Sequence, residues 1–291
     1  MAQPRIAAFA RVANGTVAPD RVITGAATKM SRTVHGIDYD PVRDEIYVTN
    51  ALADAVLVFR GGATGAEAPV RIIQGPCTGL VNPHAISLDL AHREILVSSL
   101  SARAIAVFPM EASGNVTPSR YIKGSKTQLG HTVGMGVDPD TNVLIVANQE
   151  DILFFDRLAT GNVAPVGQIK GEHTGIRDEP WELQVHGGKI YVAASNHLHL
   201  NLYSQVTLRP EYADGKAKVP EDPWINPELG FIGVWSVRNR GDAPPIARIG
   251  GPFSQLAHPT GLALNPKDGE IYVTDSVRNS LFTYFDPDLL R

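Results

Sequence analysis

Short apolar runs recur along the chain in groups of four, with polar or turn-forming residues between them. The runs are rich in Val, Ile, Tyr and Phe and are bounded by Gly, Pro, Asn and Asp, which is the pattern of short β-strands. We label the four runs a, b, c and d in chain order. Run b is the clearest of them, and its copies occupy residues 45–50, 94–98, 143–147, 189–193 and 270–274.

Run d sets the period of the repeat. It ends in Ile-x-Gly, and this glycine recurs at Gly25, Gly75, Gly124, Gly171 and Gly251, in steps of 50, 49, 47 and 80 residues. Self-similarity at about 40–50 residues indicates a repeat architecture in which each unit buries its apolar face against its neighbours. Four short antiparallel strands in each unit predict the blades of a β-propeller.

The predicted fold class is therefore all-β, with residues 1–291 forming one propeller domain of four-stranded blades. Runs a and b occur five times, which favours five blades. A copy of run c at residues 5–10 leaves six blades as the alternative. We expect the N- and C-terminal strands to close the ring within one sheet. An insertion at about 197–230 interrupts the fourth repeat, and long insertions of this kind are often functional.

Two motifs resemble known repeats. Ile-Tyr-Val-Thr-Asn at 46–50 and Ile-Tyr-Val-Thr-Asp at 271–275 are similar to the YVTN repeat, and Pro-Thr-Gly-Leu-Ala at 259–263 resembles the NHL repeat. The resemblance implies a propeller. It says little about activity, because propellers are scaffolds for many functions.

Composition and net charge restrict the kinds of molecule that the protein is expected to bind. Hydrophobic residues make up 43% of the 291, enough for a sizeable core, and the net charge of −4 without a basic run predicts no nucleic-acid binding. No apolar stretch approaches the roughly 18 residues of a membrane-spanning helix. The N-terminus lacks a signal-peptide pattern, but a removed signal would give the same sequence. A cytoplasmic and a periplasmic or secreted location therefore both stay open.

Histidines mark the start of run a. His35 and His84 occupy one aligned position, and His131, His258 and Glu179 stand two residues earlier in their own repeats. Residues two apart on a strand share a face, so these side chains are expected in two adjacent layers at the mouth of the propeller channel. Imidazoles suit Zn, Cu, Fe, Ni or Mn. We predict a divalent transition-metal site with the four histidines as ligands and Glu179 as a ligand or general base.

A second resemblance concerns the same residues. Val34-His35-Gly36-Ile37 and Pro83-His84-Ala85-Ile86 look like the Pro-His-[Gly/Ser]-Leu motif of peptidylglycine α-amidating lyase. That enzyme is a propeller with metal-binding histidines at this position, so the resemblance implies metal ligation by His35 and His84. No third histidine occupies the equivalent position, where Val133, Trp181 and Thr260 stand. His131 and His258 would have to substitute for it.

Three further residues are predicted to contact a substrate. Trp181 could form an aromatic wall at the channel mouth, and His197 and His199 form a His-x-His pair in the insertion. The same insertion is a candidate lid or a candidate homo-oligomer contact.

Three functions stay open at this stage. The favoured prediction is a metal-dependent enzyme, a hydrolase or lyase that acts on a small molecule. The first alternative is a non-catalytic propeller that binds a ligand or peptide, in which the histidines are structural and hydrogen-bonded. The second is an assembly or surface interaction module that associates through the insertion.

Overall fold

A computed structural model describes residues 4–177, 180–195 and 230–291. Within these residues the secondary structure consists of 21 β-strands and short 3-10 turns, without an α-helix. The chain forms two compact units, and each is described in turn. The first comprises residues up to 132 together with 158–164, and the second comprises 133–157 together with 165–291.

The first unit contains one two-stranded and two four-stranded antiparallel sheets, in which strands adjacent in sequence pair with each other. The two-stranded sheet is β1 (Arg5–Ala8) and β2 (Arg21–Thr24). The first four-stranded sheet is β3 (Val34–Asp40), β4 (Glu45–Asn50), β5 (Ala55–Arg60) and β6 (Arg71–Gln74). The second is β7 (Pro83–Asp89), β8 (Glu94–Ser99), β9 (Ala104–Pro109) and β10 (Arg120–Lys123).

The second unit contains three more sheets built in the same order. The first is β11 (Thr132–Asp138), β12 (Val143–Asn148), β13 (Asp151–Asp156) and β14 (Gly167–Ile169). The next is β15 (Pro180–His186), β16 (Lys189–Ser195), β17 (Gly230–Ser236) and β18 (Ala247–Gly250). The last is β19 (Pro259–Asn265), β20 (Glu270–Asp275) and β21 (Ser280–Phe285), with three strands among the described residues.

These sheets confirm the predicted fold class, an all-β propeller with five blades. Runs a to d are the four successive strands of a blade, and run b at 45–50 coincides with β4. The N-terminal strand β2, a copy of run d, pairs with β1 in a sheet of two strands. Ring closure by the terminal strands, and a single domain over 1–291, stay predictions.

The core lies between blades, as the repeat pattern requires. In the first unit, Tyr47 and Val58 of one blade share a fully buried cluster with Ile95 and Phe108 of the next. In the second unit, Phe154 packs in a common cluster with residues of the following blade that include Trp235. Within each unit, side chains on the strands of one blade are thus removed from water by an adjacent blade, which is the main stabilising contribution.

The first strand of several blades is irregular where it begins. Pairing of β3 with β4 shifts between Val34 and Ile37, and pairing of β7 with β8 shifts between Pro83 and Ile86. Such bulges release residues from the ladder and redirect their side chains. The residues released here are His35-Gly36 and His84-Ala85, so the bulges position the two histidines that the aligned pattern singles out.

Candidate functional site

Three histidines of the first unit lie together. The rings of His35 and His84 are stacked, with centroids 3.9 Å apart and an interplanar angle of 26°. The rings of His84 and His131 are 5.8 Å apart and inclined at 58°. His35 comes from β3, His84 from β7, and His131 stands immediately before β11. Three consecutive blades therefore each supply one imidazole to this group, which we call the histidine cluster.

The cluster favours neutral imidazoles. Burial, followed by repulsion from His131, lowers the pKa of His35. Burial, followed by repulsion from His35 and His131, lowers the pKa of His84 to about 3. Two charged imidazoles at this separation would repel each other in a partly dehydrated environment. His84 is therefore neutral at pH 7, and neutral imidazole is the form that binds metal ions.

The donor chemistry of the cluster fits a transition metal, but the ring orientations do not yet converge. Metal-binding lone pairs lie in the ring plane, so two nearly parallel stacked rings do not point at a common centre. Among residues 4–177, 180–195 and 230–291, no group of three or more His, Cys, Asp or Glu side chains has a metal-holding arrangement. Rotation of the His35 ring, which is solvent-exposed, would be needed for His35 and His84 to share one ion.

The fourth predicted histidine lies in the second unit and contacts Trp181. His258 is 5% exposed, and the Trp181 and His258 rings meet edge-on with centroids 5.0 Å apart. Its Nδ1 is 2.7 Å from Ser276 Oγ, and its backbone N–H donates to Asp275 Oδ2 at 2.8 Å. The Trp181 indole N–H donates to Ser195 Oγ at 3.1 Å. The structure thus joins two of the predicted site residues, and a metal-binding role for His258 stays a prediction.

Three predicted site residues lie outside the described part of the chain. They are Glu179, the predicted general base, and His197 and His199, the predicted substrate contacts. Nearly all of the insertion at 197–230 falls there as well, and β17 begins at its last residue, Gly230.

Sequence reasoning missed four residues around the cluster. Gly36 follows His35, and Thr49 and Ser98 place buried hydroxyls in the bulges of the first two blades. Asp38 accepts hydrogen bonds from the N–H groups of Tyr39 and Leu88, and burial raises its pKa to about 6. A signal for the hydroxyls was available, because Thr49 and Ser98 occupy the same position of run b.

A family comparison agrees with this fold. A model of the NHL repeat matches residues 256–284, which span β19, β20 and most of β21. The match identifies one NHL repeat in this chain, whose described sheets are those of a β-propeller. The match lies in the fifth blade, outside the histidine cluster, and therefore carries no information about the cluster. A comparison with curated proteins finds no match.

A solved structure is similar to this propeller. It is hydrazine synthase from Kuenenia stuttgartiensis, with a TM-score of 0.56 and 13% sequence identity. The similarity covers 88% of this chain and 65% of that chain, so it spans slightly less than two thirds of the synthase chain. At this identity the similarity concerns the fold alone. The described residues of this protein include no helix with the length and apolar character needed to traverse a bilayer.

Proposed function

We propose that this propeller is a metal-dependent enzyme, a hydrolase or a lyase, that acts on a small molecule at His35, His84 and His131. The observation that supports the proposal is the proximity of three imidazoles, with the pKa of two of them lowered. Holding three basic side chains close together is unfavourable unless they stay neutral or share a cation. Metal binding relieves that repulsion and uses the neutral form.

The three histidines of the cluster differ in exposure, and the proposal gives them different roles. His84 and His131 are half-buried and offer preformed, partly dehydrated ligands, whereas exposed His35 can rotate out of the stack to complete the set. A bound Zn, Cu, Fe, Ni or Mn ion would supply Lewis acidity or an activated water molecule. Glu179 as general base, and Trp181, His197 and His199 as substrate contacts, stay sequence-based parts of the proposal.

The charge of a metal ion bound by the cluster suggests a substrate class. Three neutral imidazoles leave the charge of a divalent ion uncompensated, so the ion would attract an anionic or carbonyl oxygen. A small carboxylate, phosphate ester or ester is therefore the chemistry we expect at this position.

Elemental analysis of purified, metal-reconstituted protein tests the proposal. We expect about one transition-metal ion per chain in the wild type and less than about a tenth of that in His84→Ala. The matched control is His173→Ala, because the exposed His173 ring pairs with Asp242 away from the cluster. It should retain the metal. Absence of metal from the reconstituted wild type, or equal retention in His84→Ala, would refute the proposal.

The stack of His35 on His84 favours a second candidate, a metal-free ligand-binding propeller. A flat anion or aromatic ligand could contact the exposed face of His35 without any rotation of the ring. Chemical-shift changes of the imidazoles on addition of small carboxylates to metal-free protein would support this candidate. It predicts unchanged binding in the presence of a chelator.

A further inference from the structure

Buried hydroxyls hold the peptides that follow His35 and His84. The Gly36 N–H donates to Thr49 Oγ1 at 2.8 Å, and the Ala85 N–H donates to Ser98 Oγ at 2.8 Å. Thr49 and Ser98 are both 0% exposed. Each hydroxyl occupies the bulge where the regular pairing of its blade is interrupted. Each therefore satisfies a backbone donor that the ladder has released.

The same hydroxyls reach the next blade. Thr49 Oγ1 donates to the carbonyl oxygen of His84 at 2.6 Å, and Ser98 Oγ donates to the carbonyl oxygen of Thr132 at 3.1 Å. Thr132 directly follows His131. Two hydroxyls thus connect the backbone beside His35 to that of His84, and the backbone beside His84 to that of His131. The backbone segments that carry the three histidines are joined at the cluster itself.

A close backbone approach accompanies the first connection. A Cβ atom at Gly36 would lie 2.7 Å from the carbonyl oxygen of His84 and 2.8 Å from the backbone nitrogen of Ile86. Glycine at this position lets β3 approach β7 closely enough for the two rings to stack. The Thr49 bridge then fixes the separation, because a hydrogen bond tolerates only a few tenths of an ångström.

A hydroxyl at this position of run b is not present in every repeat. The position of Thr49 and Ser98 is alanine in the third and fourth repeats, as Ala147 and Ala193. In those repeats the residue aligned with His35 is Val133 or Trp181. The fifth repeat has Thr274 with Thr260. A threonine or serine is thus not required to build a blade, and the two repeats with histidine at the aligned position both have one.

We propose that Thr49 and Ser98 are positioning residues that set the spacing of the imidazole rings in the histidine cluster. Their role in metal affinity rests on the proposed function, whereas their role in ring geometry does not. The groups that touch the rings directly are the histidines, and the hydroxyls act through the backbone of those histidines.

The decisive comparison is Thr49→Val against Thr49→Ser. Valine has the shape of threonine without its hydroxyl, and serine keeps the hydroxyl. Nuclear Overhauser contacts between the ring protons of His35 and His84 should weaken in Thr49→Val and persist in Thr49→Ser, because only serine keeps the hydroxyl that bridges to the His84 carbonyl. Zinc affinity, measured by competition with a chelator, should fall by about tenfold or more in Thr49→Val only.

A third variant controls for general destabilisation. Thr127 is also buried in the first unit, and its hydroxyl donates to the carbonyl oxygen of Gly124 in a 3-10 turn. Thr127→Val should lower stability without changing the contacts between the ring protons of His35 and His84. If Thr49→Val does not fold, Ser98→Ala compared with Ser98→Thr makes the same test at the second bridge.

The outcomes separate the two proposals. Unchanged contacts among the ring protons of the cluster in the variants that lack a hydroxyl, or an equal change in the variants that keep it, would overturn the positioning role. Wild-type protein that binds no zinc, combined with the predicted loss of ring contacts, would refute the metal site and leave the positioning role intact.

Discussion

The imidazoles of His35 and His84 are stacked at 3.9 Å although they belong to different blades and are about fifty residues apart in sequence. The arrangement persists only if at most one ring is charged, because two imidazolium ions at this distance repel strongly. Burial lowers the pKa of His84 to about 3, which keeps this ring neutral over the usual range of pH. The ring contact between the two blades therefore depends on the protonation state of the two histidines.

Acid should weaken the fold through His84. An unfolded histidine has a pKa near 6.5, so below that pH the unfolded chain binds a proton that folded His84 rejects. The contribution is complete above about pH 6.5 and declines toward pH 3, by up to about 1.4 kcal/mol per pH unit. We expect urea denaturation at about pH 7, 6 and 5 to show this loss in the wild type relative to His84→Gln.

The stability of the wild type has to be compared with that of His84→Gln at each pH, because Asp38 also titrates in this range. Burial raises the pKa of Asp38 to about 6, so the folded state binds this proton more tightly than the unfolded state does. Its contribution falls as pH rises from about 4 to about 6, opposite in sign to that of His84. Asp38→Asn should therefore steepen the acid-induced loss of stability. Parallel curves for the wild type and His84→Gln would contradict the assignment to His84.

Gly36→Ala should disturb the histidine cluster. The added methyl group would meet the backbone of His84 and Ile86 at less than 3 Å, so β3 and β7 must move apart. We expect a loss of about 1–3 kcal/mol in the free energy of unfolding, typical of overpacking, together with separation of the two rings. Urea denaturation measures the first effect, and the pKa of His84 by NMR reports the second.

Gly62→Ala is the matched control for that substitution. Gly62 is exposed in the same unit, and a Cβ atom there would meet nothing within 4 Å. Its effect should stay within about 0.5 kcal/mol, the range of ordinary surface changes. Equal effects of the two alanines would show that β3 and β7 do not approach as closely as the structure indicates.

Arg120→Ala should cost more than a surface ion pair. Arg120 pairs with Glu94 through two hydrogen bonds of 2.6 and 2.7 Å, and the two side chains are 14% and 15% exposed. Its removal withdraws both bonds from a largely buried carboxylate, which should destabilise the fold by about 2 kcal/mol. Thermal or urea denaturation of the variant measures this loss.

Arg60→Ala provides the comparison for Arg120→Ala. Arg60 pairs with Glu67, but its side chain is 60% exposed, so solvent screens the pair. We expect less than about 0.5 kcal/mol. A larger loss in Arg60→Ala than in Arg120→Ala would show that burial does not control the value of these pairs.

Most of the fold could be predicted from local pattern. Run b at 45–50 coincides with β4 because an apolar sequence bounded by turn residues decides the type of element. Run a is harder to bound from the sequence, and its second copy extends over β7, Pro83–Asp89, in the structure. The bulge at its start is not visible in apolar patterning, because the residues released from the ladder need not be apolar.

The sequence by itself determined the repeat, the blades and the aligned positions of His35 and His84. Only the tertiary structure decided that these two rings stack, that His131 joins them, and that His258 contacts Trp181 instead. The reason is physical. A strand forms from interactions among near neighbours in sequence, whereas ring contacts depend on how closely two blades approach. Here that distance is set by the missing side chain of Gly36 and the bridging hydroxyl of Thr49.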